Sequence, residues 1–288
     1  MSIICYTPET FTQLSDALRK LTPKSKIISG GTDLTIALNR EPGADALVYM
    51  GKIKGIRDIV QLPEGVSIGA MASMADLTAC GLLTGPYAAL KHAASDVGSA
   101  QIRNIATIGG NIGTASPAGD LAPVLCLLGA MADIITPGGN TRRVPVSELI
   151  TGAGKTLLEY NEAIVGVIIP KVDEKISHCT KSAFCKLGYR KAVTVSRIGL
   201  AVSLTLDQNH KILTADIVAG AIAPVPVHVE KAEQSLIGKE IDIDTAKIIG
   251  MFLSQLIMEI TPIEFDRDYK ARAAFGIAED VLHKLTGG

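Results

Sequence analysis

Residues 101–123, QIRNIATIGGNIGTASPAGDLAP, constrain this chain more than any other stretch, because glycines and small hydroxyl residues run directly into the apolar segment 124–132. Glycine has no Cβ, so Gly109, Gly110 and Gly113 can take positive φ and let a ligand approach the main-chain N–H groups. That is how a loop cradles an anion. Thr107, Thr114 and Ser116 add hydroxyls able to donate to phosphate or sugar oxygens. Asp120 stands where a helix N-cap would, and Pro123 falls in the first turn of the helix that follows, where its missing N–H does no harm. A second segment of this kind lies upstream. Lys26, Ile27, Ile28 and Ser29 read as a short strand that breaks into Gly30-Gly31-Thr32-Asp33 and continues as the apolar residues 34–38. Two anion-type loops in one domain suit a diphosphate.

Other nucleotide patterns fail on spacing. Residues 152–156, GAGKT, end like a Walker loop, but the glycine required five positions before Gly154 is Leu149. Neither glycine segment has the G-x-G-x-x-G order of a Rossmann turn. The five histidines, His92, His178, His210, His228 and His283, are scattered, with no H-x-x-x-H pair and no serine elbow. Acid–base or hydrolytic chemistry by this chain alone is not expected. The five cysteines, Cys5, Cys80, Cys126, Cys179 and Cys185, form no C-x-x-C pair, so zinc and iron–sulfur sites are not indicated.

A net charge of −1 argues against nucleic-acid binding, which favours a basic excess. No apolar run reaches the roughly 18 residues that span a bilayer, and the N-terminus lacks the order of a signal peptide, so a cytoplasmic protein is expected. Hydrophobic residues make up 47% of the chain, enough for two cores and for subunit contacts besides.

Along the chain, Thr7-Pro8-Glu9 predicts the start of a helix carrying Phe11, Leu14, Leu18 and Leu21 on one face. Ser73 to Asp76 reads as a capping box, and residues 87–97 as a further helix. After residue 172 the texture changes. Lys175, Lys181, Lys186, Arg190, Lys191 and Arg197 lie in a stretch without an acid, either a solvated face or a surface for an acceptor or partner. Leu200, Val202, Leu204 and Leu206 alternate like a strand with one buried face, a second strand spans 212–221, and two helices end the chain, the first capped by Asp244.

On GGTDL (30–34) and IRNIATIGGNIGTASPAGDLAP (102–123) the chain resembles the FAD-binding, or medium, subunits of the xanthine dehydrogenase and carbon monoxide dehydrogenase family of molybdenum hydroxylases. The likeness extends through YTPET (6–10), KLGYRKA (186–192), APVPVHVEKAEQSLIGK (223–239) and DRDYKAR (266–272). It implies an α+β chain: a two-subdomain FAD-binding fold of the vanillyl-alcohol oxidase type over 1–172, then a C-terminal domain of antiparallel sheet and helix bundle over 173–288.

It also implies non-covalent FAD, with molybdopterin and [2Fe–2S] confined to a molybdopterin-binding subunit and an iron–sulfur subunit. NAD⁺, oxygen or another acceptor would take the electrons. The diphosphate would be held by backbone amides of Gly30, Gly31, Thr32, Asp33 and Leu34, beside Ile28 and Ser29, and of Thr107, Ile108, Gly109 and Gly110. Asn111, Thr114 with its neighbour Ala115, and Asp120 match positions touching phosphate, ribityl or ribose groups. Lys186 matches a lysine near the isoalloxazine ring, and Tyr189 would form an aromatic wall. A self-contained FAD oxidase or dehydrogenase, or a scaffold subunit without flavin, remain the alternatives.

Overall fold

A computed structural model describes residues 3–177, 179–190 and 192–287; His178 and Lys191 lie outside the described residues. The chain opens with β1 (Ile4–Tyr6), α1 (Phe11–Leu18), β2 (Lys26–Ile28), α2 (Leu34–Arg40) and β3 (Ala46–Tyr49). The three strands pair in parallel in the order β1-β3-β2. Parallel neighbours need crossovers, and α1 and α2 supply them. Helix α1 starts later than its Pro8 suggests. Thr10 is the N-cap, its hydroxyl accepting from the Gln13 N–H at 3.2 Å, while Gln13 Oε1 accepts from the Glu9 N–H at 2.7 Å. This side-chain exchange satisfies two orphan donors at once, so it wins over a cap at Thr7. Leu14, Leu18 and Leu21 are buried, whereas Phe11 is exposed.

Next come β4 (Ile59–Leu62), β5 (Gly65–Gly69), α3 (Met74–Ala79), α4 (Ala88–Asp96), α5 (Ala100–Ile105), α6 (Ile108–Thr114), α7 (Leu121–Leu127), β6 (Met131–Ile135), β7 (Thr141–Pro145), α8 (Val146–Leu149), β8 (Ile150–Gly152), β9 (Lys155–Thr156) and β10 (Ala163–Pro170). An antiparallel sheet runs β4-β5-β10-β6-β7. Its central strand, β10, arrives last in sequence and reads as an almost unbroken apolar run because both neighbours and both faces are covered. The Ser73–Asp76 capping box is present at the start of α3. Ser15 of α1 donates to the Pro137 carbonyl at 2.8 Å, joining the parallel subdomain to the β6–β7 turn.

The remainder holds α9 (Glu174–Ser177), β11 (Thr180–Leu187), β12 (Ile198–Leu206), β13 (Ile212–Gly220), β14 (Val227–His228), α10 (Glu230–Leu236), α11 (Ile243–Ile260) and α12 (Arg267–Thr286). Its strands form an antiparallel sheet in sequence order. Helix α11 is capped by Asp242, two residues before Asp244, because Asp242 and Thr245 exchange side-chain and main-chain hydrogen bonds.

Strand β12 departs from the alternation expected of a half-solvated strand, since Ile198 to Val202 are buried on both faces. Leu200 and Val202, with Ala183 of β11, face a core shared with α11 and α12. Ala201 and Phe184 face the core of the first 170 residues. Gly199 and Gly220 permit this: a Cβ at Gly220 would lie 2.9 Å from the Pro123 ring and one at Gly199 would lie 3.1 Å from Phe184. The β11–β14 sheet is therefore a wall common to both halves, and it meets α7 at the end of the glycine segment.

Candidate functional site

The two glycine segments meet. A Cβ on Gly30 would come 2.0 Å from the Ile105 carbonyl oxygen, so only glycine lets the loop after β2 lie against the α5–α6 junction. Between these segments and the β11 end of the C-terminal sheet opens a cleft of about 740 Å³. Ser29 to Leu34 line it on one side, and Thr107, Gly109, Gly110, Asn111, Gly113 and Thr114 on the other. Asp120 and Lys186 stand on the far wall.

The central segment is helical rather than a loop. Thr107 caps α6, its hydroxyl accepting from the Gly110 N–H at 3.1 Å. None of Gly109, Gly110 or Gly113 takes positive φ; the left-handed residue is Ala115, with φ 46°. The glycines serve close approach instead. A Cβ at Gly109 would lie 2.7 Å from that of Ala70, whereas one at Gly113 would meet nothing within 4 Å and would project into the open cleft.

The main-chain donors divide the two segments. The Ile108 N–H donates to the Ala72 carbonyl at 3.0 Å, the Gly109 N–H to the Ala70 carbonyl at 2.9 Å, and the Gly110 N–H to Thr107. The first two tie α6 to the residues just after β5, and the third closes the helix's own cap. In the first segment, the N–H groups of Gly30, Gly31, Thr32, Asp33 and Leu34 have no protein acceptor among the described residues. Gly31 has φ 72°, the left-handed conformation that turns successive N–H groups to one side.

Four expected residues lie off the cleft lining. Ile108 is fully buried in the core, Ala115 is buried and accepts from the Gly154 N–H at 2.9 Å, and Ile28 ends β2 behind the first loop. Tyr189 is 79% exposed, and its ring stacks on Arg197 at 4.3 Å. Tyr269 takes the other contact with that guanidinium at 4.8 Å, and Asp266 pairs with it. In Tyr189's place, the wall is formed by Val193, Thr194 and Val195. A basic stretch gives no signal for these small residues, which owe their position to the turn between β11 and β12.

The far wall is held by a buried ion pair. Lys186 Nζ donates to Asp120 Oδ2 at 2.7 Å and to the Thr194 carbonyl at 3.2 Å; the lysine side chain is 9% exposed and the aspartate 7%. Ser196 donates to Asp120 Oδ1. Asp120 occupies the N-cap position of α7 but makes no capping bond, and its backbone is already helical. Burial pushes its carboxyl above the usual carboxylate range, while the Lys186 charge and the hydrogen bonds from Lys186 and Ser196 pull the other way.

These residues fit FAD. Loose amides on the first loop suit a diphosphate, and Asn111 Oδ1 is buried in the lining without a hydrogen-bond partner, a costly arrangement unless a ligand donor meets it. Among the described residues no group of three or more His, Cys, Asp or Glu could hold a metal, and no helix is long and apolar enough to cross a membrane.

A cleft between a parallel and an antiparallel subdomain, closed by a third sheet, is the kind of junction at which small-molecule and cofactor sites form, and it defines a ligand-binding protein. Residues 1–172 match the model of the FAD binding domain in molybdopterin dehydrogenase, and residues 183–285 that of the CO dehydrogenase flavoprotein C-terminal domain. The chain belongs to this family of FAD-binding subunits of molybdenum hydroxylases, and its relatives are oxidoreductases.

It is 31% identical to the nicotinate dehydrogenase FAD-subunit of Eubacterium barkeri, over 91% of this chain and 90% of the relative. To the xanthine dehydrogenase FAD-binding subunit of Escherichia coli O157:H7 it is 30% identical, over 86% and 84%. The fold is shared with a chain of the carbon monoxide dehydrogenase from Hydrogenophaga pseudoflava, with TM-score 0.87 at 24% identity over 99% and 98% of the two chains.

Proposed function

We propose that this chain holds FAD non-covalently in the cleft and relays electrons from a [2Fe–2S] subunit to NAD⁺, oxygen or another acceptor, while a separate molybdopterin subunit acts on the substrate. The observation that carries this reading is the pairing of five unengaged amides, Gly30 to Leu34, with the orphaned Asn111 Oδ1 across one cleft. When bound, FAD supplies the electron exchange. The first loop binds the diphosphate, and Asn111 and Thr114 orient the chain of the cofactor. Lys186 presents a fixed positive group at the wall, already countered by Asp120.

The names of similar proteins span nicotinate, xanthine and carbon monoxide dehydrogenases, which suits a subunit that does not itself select the substrate. We place the domain boundary near residue 172, where the first core gives way to the sheet serving both cores. We place the protein in the cytoplasm, whose reducing state suits its free cysteines.

The test is an absorption spectrum of the purified chain after incubation with excess FAD and desalting. About one FAD per chain is expected. A colourless chain together with a colourless assembled complex would refute the proposal.

A further inference from the structure

Ser196 does not line the cleft, yet it is buried and holds one oxygen of the aspartate that does. The network it completes is costly by local rules. Asp120 stands at the start of α7 without making the capping bond that an aspartate normally makes there. Its carboxylate is instead turned to the seam, where Lys186 of β11 takes Oδ2 and Ser196 takes Oδ1. The Thr194 carbonyl accepts from the same lysine, so aspartate, lysine and the turn carrying Ser196 close a ring. A local preference surrendered at one point of a cleft marks a position where function or long-range structure decides.

We propose that Ser196 is a positioning residue for the cofactor site, whose hydroxyl keeps Asp120 ionised and so keeps the Lys186 charge compensated beside the flavin. This rests on the reading that FAD occupies the cleft. Two protein donors reach the carboxylate, one on each oxygen. Without the serine donor, Oδ1 faces a buried, low-dielectric seam, and Asp120 takes up a proton at a higher pH than before. Its negative charge then no longer offsets the positive Lys186 ammonium paired with it, and the field at the wall becomes more positive. The other charged groups near Asp120 are Asp96 of α4, which disfavours its ionisation, and Lys186 itself.

The direction follows from that charge. A more positive wall favours the reduced, more negative cofactor, so Ser196→Ala raises the flavin midpoint potential. The rise is confined to the pH window in which Asp120 is ionised with serine present and protonated without it. Above and below that window the two proteins converge. The expected shift is about tenfold in the reduced-to-oxidised ratio at fixed potential, roughly 30 mV for a two-electron couple.

The experiment is a redox titration of the flavin across pH 5.5–8.5 in the assembled, FAD-loaded complex, for the parent protein, Ser196→Ala, Ser196→Thr and Asp120→Asn. Expected are full FAD occupancy in both serine variants, a shift confined to part of the pH range in Ser196→Ala, and parent behaviour in Ser196→Thr, which keeps the hydroxyl. Asp120→Asn should shift the potential wherever Asp120 is ionised in the parent, and adding Ser196→Ala to it should change nothing further.

A Ser196→Ala potential equal to the parent's at every pH, with Asp120→Asn still shifted, would overturn the role of Ser196 alone. A potential unmoved in both would instead remove the cleft from the flavin's surroundings. Loss of FAD in Ser196→Thr as well as Ser196→Ala would show a packing role and likewise overturn the proposal.

Discussion

Replacing Gly113 with leucine separates the cofactor site from the fold more cleanly than any other single change. Gly113 lies inside α6 without positive φ, it lines the cleft, and a Cβ there would meet no atom within 4 Å. A leucine therefore fits the protein and occupies the cavity. Glycine costs a helix interior about 0.8 kcal/mol more than leucine, so the unliganded variant gains up to about that amount. In a chain of this size that is a rise of roughly 1–2 °C in Tm.

Four side-chain carbons reaching into the cleft should weaken FAD binding at least about 100-fold, or roughly 2.7 kcal/mol. Thermal unfolding of the FAD-free chain and titration with FAD give the two readings. Unchanged FAD affinity would remove α6 from the cofactor site. A Tm lowered by several degrees would show that the space at Gly113 is not open, refuting the geometry itself.

Gly109→Ala should behave oppositely, because its Cβ would sit 2.7 Å from that of Ala70 and 2.8 Å from the Ala70 carbonyl; a loss of about 1–3 kcal/mol in denaturant unfolding is expected. Lys186→Met strands the buried Asp120 carboxyl and should cost about 3 kcal/mol, most of it recovered in the Lys186→Met/Asp120→Asn double variant; equal instability of both would show that the pair is not the source. His92, whose Nδ1 is buried without a partner, has its pKa lowered to about 4 by burial and by the nearby Lys284 and Lys91 charges. The unfolded chain therefore binds more protons between the ordinary histidine value of about 6.5 and that depressed value, so stability should fall as pH is lowered through this window, by about 2 kcal/mol once the roughly 3 kcal/mol of the full shift is reduced for screening of the half-buried ring. Urea unfolding of His92→Leu at several pH values should show a flatter profile, and an unchanged slope would assign the pH dependence elsewhere.

The sequence alone determined what depends on near neighbours. The strand, turn and helix at residues 26–40, the capping box at Ser73 and Asp76, and the contrast between the halves all follow from residues a few positions apart. Each glycine segment is legible in the same way, since closely spaced glycines are useful only where main chain or ligand must come near; that the two meet at one cleft is a tertiary fact. Competition among neighbours was harder to read: Thr7 against Thr10, and Asp244 against Asp242, were each decided by which side chain found a reciprocal partner.

Tertiary structure decided the rest. The glycines of α6 look the same on paper whether they turn a loop or relieve a helix packed on Ala70, and only the position of β5 distinguishes the two. Asp120 has the sequence of a helix cap, but its carboxylate goes to Lys186 and Ser196, which are 66 and 76 residues away and reach it through a sheet docked across the seam. Tyr189 likewise stands off the cleft, its ring held against the Arg197 guanidinium, which Tyr269 also contacts. Local propensities are worth about 1 kcal/mol, whereas an unpartnered buried charge costs several, so where the two conflict the long-range partner prevails.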